Sequence, residues 1–221
     1  MQIVFDNEKV CKECQSLWGF STYLTKHNLL FDTGSNGRVL LKNMKKVGVN
    51  VAEIKYVFIS HSHWDHIGGL DSIIEINPDI TLFIPASLSK HLISDLKLLV
   101  KKVVVCIKKP QYLFDNLYTT GLLGDDTPEQ SLIIDTKKPT LITGCGHFGI
   151  EKITYTAKKI IGKNIESVLG GFHLLKSDEE KILHTIKVLK EMGVKEAHST
   201  HCSGKLAIAL FEKEFTYDST S

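Results

Sequence analysis

Short apolar runs and stretches of helical spacing alternate along this chain from end to end. Met1 to Phe5 is a short apolar run, and Gly19 to Thr25 with Asn28 to Phe31 reads as a pair of strands ending at Asp32-Thr33-Gly34. From Arg38 to Val47 the apolar residues Leu40, Leu41, Met44 and Val47 recur at the spacing of one helix face. Tyr56-Val57-Phe58-Ile59 is a continuous β-branched and aromatic run, the mark of a buried strand. The chain then turns at His61 to His66, and a helix follows from Gly69 to Ile76. The same reading assigns strands to Thr81–Ile84, Val103–Ile107, Leu117–Thr119, Leu132–Asp135, Thr140–Thr143, Ser167–Leu169 and Lys195–His198. Helices fall on Ser87–Leu99, Ile150–Ile161, a segment closing at Met192, and Gly204–Phe215. Ser177 with Glu180 three residues later predicts a capping box opening the helix that closes at Met192, with Gly193 as its stop. Strands come in an early and a late group, each followed by helices. That order predicts an α/β fold of two sheets packed face to face with helices outside, a four-layer αββα sandwich. No Pro/Gly/Ser-rich linker interrupts it, so residues 1–221 read as one domain.

Composition narrows the class without naming a function. A chain of 221 residues that is 43% apolar can build its core without disulfide staples. Its 27 basic and 25 acidic residues leave a net charge of +2, which gives no electrostatic case for a nucleic-acid partner. Lysine pairs are scattered rather than clustered, as on solvated faces. No apolar run reaches the roughly 18 residues of a membrane span, and the N-terminus lacks the features of a secretory signal. Five dispersed cysteines are an odd number and argue against a disulfide framework, so a reducing cytoplasm is expected. Cys11-Lys12-Glu13-Cys14 has no second pair at zinc-ribbon spacing and reads as a plain loop pair, with a redox or metal-sensing module as the rival.

Histidine placement changes the picture. His61-Ser62-His63-Trp64-Asp65-His66 follows a buried strand directly and puts three imidazoles and a carboxylate within six residues. These nitrogen and oxygen donors suit one or two zinc ions, and manganese or iron are also compatible with them. At i, i+2 spacing His61 and His63 leave an extended segment on the same side. Asp65 and His66, adjacent in a turn, can point at a second metal. A polar loop whose histidines merely bond to backbone is the plainer alternative.

This segment, followed by Ile67-Gly68-Gly69-Leu70, resembles the HxHxDH signature of the metallo-β-lactamase superfamily, and Leu30-Phe31-Asp32-Thr33-Gly34 resembles its DTG turn. Four further pieces narrow the resemblance: Asp6-Asn7, the run Thr143 to Ile150 (TGCGHFGI), Gly170-Gly171-Phe172-His173-Leu174 and Thr200-His201-Cys202-Ser203-Gly204. Together they are similar to the dihydropterin ribofuranosylaminobenzene phosphate synthase family of methanopterin biosynthesis and to its metal-dependent hydrolase relatives. The resemblance implies the αββα sandwich with a one- or two-metal site at one edge. It implies that a first metal takes His61, His63 and His147, and a second Asp65, His66 and His201. The superfamily's bridging aspartate has no persuasive counterpart among the acids between His147 and His201. Cys145 or His173 fits that slot, and His173 is favoured instead as a substrate-phosphate or acid/base group. Asp65 and His173 are the catalytic candidates. Asp32 is a candidate to accept the ring N–H of a ligand histidine and fix its tautomer, or merely to satisfy its own turn. Cys202 is expected beside the site and Cys106 in the core.

The chemistry so implied is hydrolysis of a small, phosphorylated or acyl substrate by a metal-activated water. Its alternative is a transferase that condenses a dihydropterin pyrophosphate with an aminobenzene ribose phosphate and releases pyrophosphate.

Overall fold

In the computed structural model, which describes residues 1–215, β1 (Gln2–Phe5), β2 (Ser21–Leu24) and β3 (Leu29–Phe31) form an antiparallel meander. The strands β4 (Tyr56–Phe58), β5 (Thr81–Pro85) and β6 (Lys102–Cys106) continue the sheet parallel to β3, in the order β1-β2-β3-β4-β5-β6. Parallel neighbours need crossovers. They are supplied by α1 (Gly37–Lys46), by α2 (Trp64–Ile67) with α3 (Leu70–Ile76), and by α4 (Lys90–Leu99). Together these elements make the first of two compact units, Met1–Ile107.

Strand alternation builds this unit's core. Leu30, Val57, Ile59, Leu82 and Ile84 pack with Leu40 and Met44 of α1, Ile73 of α3 and Leu96 of α4. The intervening Phe31 and Phe58 stack at 5.3 Å, and Tyr56 and Phe83 at 6.1 Å. Phe31, Phe58 and Phe83 are buried too, and burial on both faces is why residues 56–59 form an unbroken apolar run.

The second unit begins at Lys108. Its strands β7 (Gln111–Phe114), β8 (Leu117–Thr119), β9 (Leu132–Ile134) and β10 (Thr140–Thr143) are antiparallel neighbours. The strands β11 (Ser167–Gly171) and β12 (Glu196–Thr200) run parallel to β10, giving the order β12-β11-β10-β9-β8-β7. Leu141, Val168 and Ala197 pack against α5 (Ile150–Ile161), α6 (Glu179–Glu191) and α7 (Lys205–Glu214) through Ile153, Ile182, Leu189 and Phe211.

Three local expectations are corrected. β7 was not anticipated; it pairs with β8 across Asp115 and Asn116, whose φ values of 42° and 64° suit a two-residue hairpin turn. At the start of α6 the capping box does not form, because Asp178 rather than Ser177 accepts from the Lys181 N–H at 2.9 Å. Cys11 and Cys14 are joined by a disulfide rather than standing as a plain loop pair. That loop is tied down besides: Asn43 accepts from the Gln15 N–H at 2.9 Å and donates to the Gln15 carbonyl at 2.8 Å. Among the described residues no helix is long and apolar enough to cross a membrane.

Candidate metal centre

In the first unit the candidate residues follow the C-terminal ends of parallel strands, where open α/β sheets carry their sites. β3 is followed directly by Asp32, which takes φ 53°, and β4 leads into Ser60 and His61. The next turn is stitched by Thr33, whose N–H and hydroxyl both donate to the His66 carbonyl, at 2.7 and 2.9 Å. Gly69 is required there, since a Cβ would lie 2.3 Å from the Thr33 carbonyl oxygen.

Asp32 is fully buried and accepts three hydrogen bonds. The Ser60 N–H donates to Oδ1 at 2.7 Å, the Ser60 hydroxyl to Oδ2 at 2.7 Å, and His66 Nδ1–H to Oδ2 at 2.6 Å. Because its proton goes to Asp32, the Ser60 oxygen must accept from His61 Nδ1–H, 2.9 Å away. One carboxylate thus fixes the tautomer of two imidazoles, directly at His66 and through a hydroxyl at His61, and puts both lone pairs on Nε2. Burial pushes the Asp32 carboxyl up, while the charge and hydrogen bond of His66 and the bonds from Ser60 oppose that rise. The His61 ring centroid lies 4.6 Å from that of His63 and 4.2 Å from that of His66. Buried Asp65 places Oδ2 3.7 Å from His66 Nε2, and exposed His63 sits at the N-terminus of α2.

In the second unit the candidates follow β10, β11 and β12. The turn after β10 wraps a buried carboxylate that the sequence did not single out. Glu129 Oε1 accepts from the N–H groups of Gly144, Cys145 and Gly146 at 3.0, 2.9 and 3.1 Å, and Oε2 from the His147 N–H at 2.9 Å. The Thr143 hydroxyl adds a bond at 3.2 Å. The turn thereby presents Cys145, buried, and His147, half-buried, whose ring lies 4.5 Å from that of His173. Within β11, Gly170 is needed because a Cβ would meet the Thr143 carbonyl oxygen at 1.9 Å. Exposed His173 follows with φ 52°. His201, after β12, has φ 51° and is buried next to Cys202. Ligand atoms of Cys145, His201 and Cys202 all lie within 4.8 Å of one another.

A hydrogen bond from the Cys145 thiol, then one from His173, hold the Cys202 thiol well below the usual thiol range against the opposing effect of burial. The same contact with Cys202 raises the His173 imidazole. Among the described residues six non-glycine positions have positive φ. Asn28, Asp115 and Asn116 are turn residues that tolerate it, whereas Asp32, His173 and His201 are held so beside candidate site residues.

Sequence reasoning missed Ser60 and Glu129. A serine ending a strand before the His61 cluster was a usable signal for the first. Glu129 lies in a stretch without periodicity, and nothing local marks it.

Residues 14–157 match the family model of the metallo-β-lactamase superfamily. The 7,8-dihydropterin-6-methyl-4-(β-D-ribofuranosyl)-aminobenzene-5'-phosphate synthase of Methanocaldococcus jannaschii is 32% identical over 239 aligned residues, 87% of this chain and 81% of that protein. A second Methanocaldococcus jannaschii protein, of uncharacterized function, is 27% identical over 94% of this chain and 92% of its own length. Among solved structures, Tm1679, a metal-dependent hydrolase of the β-lactamase superfamily, superposes with a TM-score of 0.78 at 27% identity, covering 97% of this chain and 92% of that one. The α/β class expected from the sequence therefore holds, and the chain belongs to the metallo-β-lactamase superfamily.

Proposed function

We propose that this protein is a metal-dependent hydrolase acting on a small phosphoester or acyl substrate. The observation that carries the reading is the Asp32–Ser60 relay, which engages Nδ1 of His61 and His66 and so puts their lone pairs on Nε2, as histidines at metal sites are held. These donors fit zinc, with manganese or iron as alternatives, and buried Asp65 adds an oxygen ligand. In this reading His61, His63, Asp65 and His66 would serve as metal ligands in the first unit, and His147 and His201 in the second. When bound, such an ion lowers the pKa of its water to about 7 and polarises a phosphoryl or carbonyl oxygen. Asp65 would take up the proton of the attacking nucleophile. His173, exposed and kept more basic by its contact with Cys202, binds a substrate phosphate or returns a proton to the leaving group. The family match runs across the boundary at Ile107, and on that ground we read the chain as one functional domain. Cys106, Cys145 and Cys202 are buried outside any disulfide, which supports the cytoplasmic reading, while the Cys11–Cys14 disulfide weighs against it.

The test is turnover of a panel of phosphodiesters and acyl esters by metal-loaded protein. Activity is expected in the wild type and lost in His63→Ala; an unchanged His63→Ala rate would overturn the assignment.

A second reading, favoured by 32% identity to the pterin-pathway synthase, is a transferase that releases pyrophosphate from a dihydropterin pyrophosphate. Release that requires the aminobenzene ribose phosphate acceptor selects this reading. Release without the acceptor, or none, returns the search to esters.

A further inference from the structure

We propose that Cys145 and Cys202 supply sulfur ligands to the metal assigned to His201, making that site one for zinc or another thiophilic divalent ion. The inference rests on the metal-centre reading above and deepens it.

The acids between His147 and His201 are committed elsewhere. Glu151 accepts from Lys181 and Thr185, Glu166 pairs with Lys195, and Glu196 with Lys138. Asp178 caps α6, Glu179 and Glu180 stand exposed in its first turn, and Glu191 faces Lys187. Glu129, the buried carboxylate nearest in sequence to His147, spends both oxygens on the backbone of the turn after β10. The anionic donors in this unit that stand beside His201 are therefore thiols.

Their placement is built rather than incidental. Cys145, His201 and Cys202 are 4%, 2% and 5% exposed, with ligand atoms mutually within 4.8 Å. Cys202 Sγ reaches the Cys145 carbonyl at 3.4 Å. Gly171 makes that approach possible, since a Cβ there would lie 2.6 Å from the same sulfur. His201 takes a left-handed backbone, φ 51°, immediately before Cys202. Two thiolates and an imidazole form a soft set that favours zinc over manganese or magnesium.

Zinc-edge X-ray absorption on the zinc-loaded protein tests this directly. A sulfur shell at about 2.3 Å is expected beside the nitrogen and oxygen shell at about 2.0–2.2 Å. Cys145→Ser or Cys202→Ser should each halve its amplitude, and the double variant should remove it. The Cys11→Ser/Cys14→Ser chain should keep the full shell; it excludes the loop pair as the sulfur source and stays readable if the buried variants fail to fold. Zinc bound with nitrogen and oxygen alone, or a shell that vanishes with Cys11 and Cys14, overturns the thiolate assignment and leaves the metal centre standing. Failure to bind zinc at all overturns both.

Discussion

Replacing Asp32 with Asn would keep the shape of the side chain but turn one acceptor oxygen into a donor. His66 Nδ1–H and the Ser60 hydroxyl both require an acceptor at Oδ2 and the Ser60 N–H one at Oδ1, so either orientation of the amide sets donor against donor and weakens the hold on the imidazoles. Metal affinity should fall about 10–100-fold, as when outer partners of ligand histidines are removed, read by chelator competition. Ser60→Ala breaks only the arm to His61 and should cost less; equal, unchanged affinities would refute the relay. Glu129→Gln places an amide against a ring of backbone donors, and leaving those N–H groups without a good acceptor should cost about 1–3 kcal/mol, read as a lower urea midpoint. Asp32 was legible beforehand because it stands in a recognisable turn after a strand. Ser60 left only the local mark of a serine just before the His61 cluster, and Glu129 left none, because their decisive contacts reach 28 and up to 18 positions along the chain.

At the scale of elements, the sheet–helix order could be read because strands buried on both faces give unbroken apolar runs and the major helices carry one apolar stripe. β7 escaped because a four-residue edge strand with no buried residue has little alternation to detect, although the Asp115-Asn116 pair marks its turn. The α6 cap was misplaced by one residue because Ser177 and Asp178 are both good caps and sequence alone does not rank them. The join between α5 and α6 has a pH signature. Glu151 is partly buried, which raises its carboxyl, but hydrogen bonds led by that from Thr185 and joined by Lys181 hold it below the ordinary 4.5. The unfolded chain therefore binds this proton more readily than the folded one. The resulting stabilisation is present above pH 4.5 and disappears as pH falls through the lower folded value. Glu151→Gln should flatten this part of the acid limb in stability-against-pH curves, and an unchanged limb would show the tie contributes nothing.

At the scale of the whole molecule, ligand binding and folding are linked. If His61, His66 and His201 hold metal as assigned, zinc at a hundredfold excess over its Kd adds about 2.7 kcal/mol to folding stability. Removing metal with a chelator should then lower the melting temperature, and re-addition should restore it; identical melting with and without chelator would argue against a folded-state metal site. If the substrate is phosphorylated, as proposed, the turn after β10 bears on how it would be held. Four successive N–H groups converging on one point form a concavity that commonly receives a phosphate or sulfate. Here the chain fills it with its own anion, Glu129, so this concavity is closed to any substrate phosphate. A Glu129→Ala chain that stayed folded would turn a structural anchor into a vacant anion receptor, with inorganic phosphate free to take the place of the lost carboxylate.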